Sequence, residues 1–380
     1  ARLSGASPFR VARDVSIPMV SPALLYVGVL VFFLGFEIFG LPLILGDPEG
    51  HLVLTTYLYK LTNKLGTPSY HLMAAVATCI IAVTFPLVLL QRALLKNAQR
   101  FVSMKGKSAR QRPLMLGPWK WLALGLIVAW LFITVVVPVS GIALRSVVSS
   151  WGQGVNLLEV LTLDHFHAVF EESTMIRSIV NSILIGTLGG ALAVGGYLAI
   201  GLTTHRKNDG LSRFVDYIVL TPRAVPGLMA GLAVFWVFLF VPFLTPLRST
   251  LFSVWFAYSV VWLAYGMRLI QSALLQVGPE LEEAGRLVGA SSARVSRDIT
   301  VPLVRNGLLG AWLLIFMIFE REYSTGVYLL SPGTEVIGAQ IVSLWASGAV
   351  DVVAALSLIN MLLVGVGLAL ALRFGVKLHD

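Results

Sequence analysis

This sequence predicts an all-α membrane protein, a polytopic helical bundle with two pseudo-symmetric units and about eight spans. Three observations carry that expectation. Of the 380 residues, 57% are hydrophobic and only 12% charged, and mean hydropathy is +0.84; a soluble domain carries about 25% charge. Apolar runs of about 20 residues recur, the length at which a helix crosses a bilayer. A polar phrase also occurs twice, at Arg2–Val20 and Arg286–Val304, with 11 of 19 positions identical. A soluble core would need helices with polar faces, and these runs are apolar all round.

The spans are expected at roughly 22–45, 70–91, 119–143, 178–202, 216–241, 251–273, 305–327 and 350–372. Cations alternate with them, as the positive-inside rule requires. Arg2, Arg10 and Arg13 precede the first span, and the stretch from Arg92 to Lys120 holds eight cations and no acid. Loop 203–215 has Arg206, Lys207 and Arg213, segment 274–304 has Arg286, Arg294 and Arg297, and the tail has Arg373 and Lys377. All of these fall inside. Loops 46–69, 144–177 and 328–349 fall outside, the first two with Asp47, Glu49, Glu159, Asp164, Glu171 and Glu172. The net charge of +9 is therefore a topology signal with a secondary attraction to anionic lipid. Nucleic acid is not an expected partner, because few aromatics interleave the basic cluster. The single cysteine, Cys79, permits no intrachain disulfide, and no secretory h-region opens the chain.

The repeat sets the domain organisation. Residues 1–95 read as the C-terminal part of a first unit, a polar loop plus two spans, whose upstream part is expected before Ala1. Residues 96–118 form a basic linker. Residues 119–380 read as a complete second unit of six spans, with its polar loop at 278–302. Duplicated halves are a common way to build a transporter.

The second polar loop reads "GPELEEAGRLVGASSARVSRDITVP". Pro279 suits the first turn of a helix, and Glu280, Glu282 and Glu283 sit where the helix dipole favours acids. Gly289 can take the left-handed conformation that ends a helix. Ser291 or Ser292 can cap a second short helix over Ala293–Asp298, and Pro302 closes it before the next span. An ordinary amphipathic connector would look similar, but spanning a bilayer gives no reason for two loops to share eleven residues. One partner with two equivalent docking surfaces does.

Glu283-Ala284-Gly285, then Gly289, then Ile299-Thr300-Val301-Pro302 resembles the motif of permease subunits of binding-protein-dependent ABC importers. Gly285 and Val301 stand where that family usually has Ala and Leu. The first copy keeps Gly5, Ala6, Ser7 and Pro18, while its Glu-Ala pair would lie before Ala1. The resemblance implies that the loop is a coupling helix docking on an ATPase. Glu282, Glu283, Ala284, Gly285, Gly289, Ala290, Ser291, Pro302, Gly5, Ala6, Ser7 and Pro18 are then the contact candidates, with Glu283 as the charged contact. It implies two ATPase copies carrying ATP and Mg, a periplasmic solute-binding protein reaching outer loops such as Ser331–Glu335, and a bacterial inner membrane location. No cofactor is expected on this chain, and no catalytic residue. The "GKS" at Gly106–Ser108 is no phosphate loop, because Phe101 stands where a glycine is needed.

Ionisable residues at span depth are candidates for a solute path. The richest group is Glu320, Arg321, Glu322 and Tyr323, with Glu37 at a comparable place in the first unit. Two facing carboxylates would attract a cation; a local ion pair around Arg321 is the plainer alternative. Pro222 and Pro226 suggest a broken helix around Arg223. Gly186, Gly190, Gly227 and Gly231 read as close-packing positions, and His165 and His167 as a solvated loop rather than a metal site. Fused two-unit permeases of the ferric-iron type look most similar, on "EREYSTGVYLLSPGTEVIG". Thiamine, aminoethylphosphonate and polyamine permeases are related alternatives. An ion-coupled secondary transporter would need no ATPase and would use midplane acids, of which few occur.

Overall fold

The computed structural model describes residues 38–63, 69–98, 117 and 119–373 apart from 153 and 208, with scattered positions between 10 and 35. Among these the chain is helical with connecting turns, and one isolated antiparallel bridge joins Val148 and Leu161. It divides into two compact units, Ala1–Val136 and Val137–Asp380.

In the first unit, α1 (Leu54–Asn63) and α2 (Tyr70–Ala98) pack together, with Leu58, Leu61 and Met73 buried. Thr56 starts α1 by exchanging hydrogen bonds with Val53, and Lys60 pairs with Asp47. The division between the units falls within α3 (Trp119–Ser146), whose most apolar window has no buried residue. So apolar a surface is stable only against lipid or another apolar partner.

The second unit contains α4 (Asp164–Glu171), α5 (Ser173–Thr204), α6 (Gly210–Leu220), α7 (Gly227–Phe240), α8 (Leu251–Val261) and α9 (Leu263–Leu274). They are followed by α10 (Pro279–Leu287), α11 (Ser292–Arg321), α12 (Ile337–Ala346) and α13 (Val350–Arg373). Helices α5, α9 and α11 form the centre. Small residues let them close: a Cβ on Gly266 would stand 2.2 Å from the Tyr197 ring, and one on Gly307 2.7 Å from Ala273. Such small-residue contacts replace the hydrophobic drive that lipid removes. Mid-way along α5 a π-turn, Ile185–Gly189, loosens the backbone ladder. Two indoles donate to carbonyls there: Trp312 to Thr187 O at 3.0 Å and Trp255 to Gly189 O at 2.8 Å. Arg145 pairs with Asp351 between α3 and α13.

Four described helices are each long and apolar enough to cross a membrane: α3, α5, α11 and α13 up to Ala369. The α8–α9 pair, bent by 62° at Trp262, makes up to five. The expectation of about eight spans differs for identifiable reasons. Span 22–45 lies mostly outside the described residues. Span 216–241 is interrupted by a 3-10 turn at Thr221–Ala224 and restarts at Gly227 behind Pro226, because proline supplies no N–H to the ladder. Span 70–91 contains a shorter apolar stretch, His71–Leu87. The span expected at 305–327 starts earlier, at Ser292, and ends at Arg321.

The stretch from Glu322 to Val336 is irregular, with Thr325, Leu329, Thr334 and Val336 buried against the helices and Pro332 and Gly333 exposed. A Cβ on Gly231 would stand 1.8 Å from the Thr325 carbonyl oxygen, and one on Gly227 2.9 Å from the Thr325 hydroxyl. The expected close-packing role of these glycines therefore has a specific object, the segment returning past α7.

Candidate functional site: a polar elbow between helices

The elbow runs from Gly278 to Thr300. Pro279 occupies the first turn of α10, which ends where Gly289 adopts φ +87°. Ser291 caps the next helix by accepting from the Arg294 N–H at 3.3 Å. The expected second short helix is instead the beginning of α11. A π-turn at Ser296–Thr300 carries the chain into Val301 without a break, and Pro302 lies in the first turn of the segment that follows. Proline needs no ladder partner there, so it does not stop the helix.

Helix α10 has two faces. Glu283, Ala284, Leu281, Leu287 and Val288 are exposed, the last two at 88% and 84%. The other face holds Glu282 and Gly285, both buried. A Cβ on Gly285 would meet Ile299 at 2.8 Å and Val295 at 3.1 Å, so glycine here lets α10 lie on the start of α11. Ala290 is half-buried, and Ser291 and Pro302 are exposed.

Glu282, expected among the coupling residues, faces inward. It is 3% exposed and engaged inside the protein. Its Oε1 accepts from the Thr300 hydroxyl at 2.9 Å and lies 3.1 Å from His205 Nε2. Its Oε2 lies 3.3 Å from Arg206 Nε. Arg206 also donates to the Val277 carbonyl at 2.5 Å and to His205 Nε2 at 3.1 Å. A buried carboxylate needs such partners. Sequence reading missed His205, Arg206 and Thr300. One signal was the single charged step, His205-Arg206-Lys207, immediately after the 32-residue helix α5.

Gly5, Ala6, Ser7 and Glu37 lie outside the described residues. Pro18 is helical and exposed.

At the far end of α11, Glu320 is 1% exposed. The Asn360 side chain of α13 is its hydrogen-bonding neighbour. Arg321 is exposed. Glu322 organises the irregular segment. Its Oε1 accepts from the Ser324 hydroxyl at 2.6 Å and from the Thr325 N–H at 3.1 Å, and Oε2 from the Trp262 indole at 3.3 Å. Its carbonyl accepts from the Tyr258 hydroxyl. Tyr323 is half-buried and packs against Gly338.

Near the start of α5 a second set of contacts fixes the loop before α12. Arg177 grips Glu335 with two donors, at 2.9 and 3.2 Å. Asn181 donates to the carbonyls of Gly333 and Glu335 at 3.0 and 2.9 Å. Ser182 accepts from the Ile337 N–H at 3.0 Å. Among the described residues no cluster of three or more His, Cys, Asp or Glu side chains could hold a metal.

Fold and elbow together define a class: multi-pass, all-α membrane proteins whose spans are joined by a packed polar elbow. Residues 191–377, which contain the whole elbow, match the family described as binding-protein-dependent transport system inner membrane component. The chain is 24% identical, over 90% of its own length and 60% of the relative's, to a probable ABC transporter permease protein of Sinorhizobium fredii. It is 25% identical, over 42% of its length and 31% of the relative's, to an Fe(3+)-transport system permease protein of Haemophilus influenzae. Proteins named for spermidine/putrescine and for 2-aminoethylphosphonate transport also match. A chain of a bacterial ABC transporter involved in alginate import shares the fold, with a TM-score of 0.54 at 17% identity, covering 69% of this chain and 97% of that one. These similarities are to ABC-importer permeases. The chain spans only 31% to 60% of the length of the first relatives it matches.

Proposed function

We propose that this chain is the membrane permease of an ATP-driven importer, moving a small solute inward by alternating access. The observation that carries the reading is the two-faced helix α10. One face packs into the permease through Glu282 and Gly285. The other leaves Leu281, Leu287 and Val288 uncovered beside Glu283. An apolar patch of this kind, rimmed by charge, is the form of a docking surface. In this reading two ATPase subunits, which hold ATP and Mg, grip this elbow and the repeated phrase around Gly5. A periplasmic solute-binding protein delivers cargo at the opposite end, where Ser331–Glu335 lies.

Ferric iron is the favoured cargo, on the iron-transport relatives and the oxygen-rich segment after α11. Polyamine and aminoethylphosphonate relatives support organic solutes as the alternative. Detergent-solubilised chain should co-purify with an ATPase subunit, and Gly289→Arg should abolish that. Solute uptake by vesicles lacking any ATPase would overturn the importer reading. Cargo is decided by uptake of Fe³⁺ against putrescine with the binding protein encoded beside the permease.

A further inference from the structure

The contacts of Glu282 point to a role behind the docking surface rather than on it. We propose that His205 and Arg206 are positioning residues that carry displacement of the elbow into helix α5, with Glu282 as the acceptor they share. This inference rests on the importer reading above.

Three features converge. First, Glu282 sits on the inner face of the same short helix whose outer face is free, so a load applied to Leu287 and Val288 reaches His205 and Arg206 through a helix of nine residues. Second, Arg206 is the non-glycine residue with positive φ among the described residues, at 56°. A side chain that is not glycine is held there only when its surroundings over-determine it. Here those surroundings are Glu282 Oε2, the Val277 carbonyl and His205 Nε2. Third, α5 is tied at both ends. Its last residue, Thr204, precedes this cluster directly, and its first turns hold the 333–337 loop through Arg177, Asn181 and Ser182. The helix between them has 32 residues and spans about 48 Å at 1.5 Å per residue. One rod thus joins the elbow to the loop at the opposite end.

His205 adds a choice of two arrangements. Its Nε2 faces the Glu282 carboxylate at 3.1 Å and the Arg206 Nε–H at 3.1 Å. With a proton, that nitrogen donates to Glu282; without one, it accepts from Arg206. It cannot do both, so the tie has two hydrogen-bonded forms.

The experiment uses the full chain with its ATPase subunits and solute-binding protein in proteoliposomes, and measures Fe³⁺ or, where wild type does not carry it, putrescine moved per ATP hydrolysed. Arg206→Gly removes the tie while leaving a residue at home at positive φ, and Glu282→Gln keeps the shape without the charge. Both are expected to retain the ATPase and its hydrolysis while solute per ATP falls about tenfold. Wild-type solute per ATP in either variant overturns the inference, as does loss of the ATPase on purification, which would place these residues in the docking surface itself. If the wild-type chain binds no ATPase at all, the importer reading fails instead. Glu283→Gln, on the outer face, is the contrasting variant: it should weaken ATPase retention, which the two inner variants should not.

Discussion

The Thr300 hydroxyl donates to the Glu282 carboxylate at 2.9 Å across 18 residues of chain, with both residues buried. This bond closes the elbow on itself, joining the first turn of α10 to the turn that leads into α11. Thr300→Val keeps the volume and removes the donor, and should cost about 1 kcal/mol of stability. Thr300→Ser should recover most of it. Thermal unfolding in detergent measures both, and a Val variant as stable as wild type would show that the bond does not contribute.

Two glycines should respond to alanine for different reasons. At Gly231 the new Cβ would fall 1.8 Å from the Thr325 carbonyl, and backbone cannot rotate away as a side chain can. Displacing that segment should cost about 3 kcal/mol. At Gly289 nothing lies within 4 Å, and the obstacle is φ +87°; alanine there should cost about 1–2 kcal/mol, and Gly289→Asn less. The ranking of the three variants by unfolding midpoint checks the argument.

The Arg177–Glu335 pair should make the 333–337 loop acid-sensitive. Burial pushes the Glu335 carboxyl up, but hydrogen bonds from Arg177 and the Gly333 N–H, with the Arg177 charge, hold it below its ordinary value of 4.5. A carboxyl lowered in the folded state stabilises the fold above its unfolded value, and that contribution disappears as pH falls through the folded one. Hydrogen exchange at Gly333 and Ile337 should therefore quicken as pH drops below about 4.5, after correction for the intrinsic rate. Glu335→Gln should exchange quickly at every pH.

Glu320 should tolerate the loss of its charge better than the loss of its shape. It is buried beside the Asn360 side chain. Glu320→Gln substitutes an amide that can pair with Asn360 and should change stability by less than about 1 kcal/mol. Glu320→Ala leaves a cavity and removes the partner of the Asn360 side chain, and should cost about 2–3 kcal/mol. Equal losses in the two variants would show that Glu320 acts there as an anion.

Much of the elbow was legible because its signals are local. Pro279 at a helix start, Ser291 as a cap and Gly289 in the left-handed region each follow from backbone chemistry within a few residues. The break near Pro222 and Pro226 was legible for the same reason. The bend at Trp262 was not, since no proline or glycine marks it.

The sequence by itself determined the class: charge fraction, apolar run length and the repeated phrase settle an all-α membrane protein before any fold is known. Only the tertiary structure decided which side of α10 each glutamate takes. Glu282 and Glu283 are neighbours of identical chemistry, about 100° apart on a helix, and nothing local distinguishes them. The distinction comes from His205 and Arg206, 77 and 76 positions earlier in the chain, which the turn after α5 brings within reach of one carboxylate and not of the other.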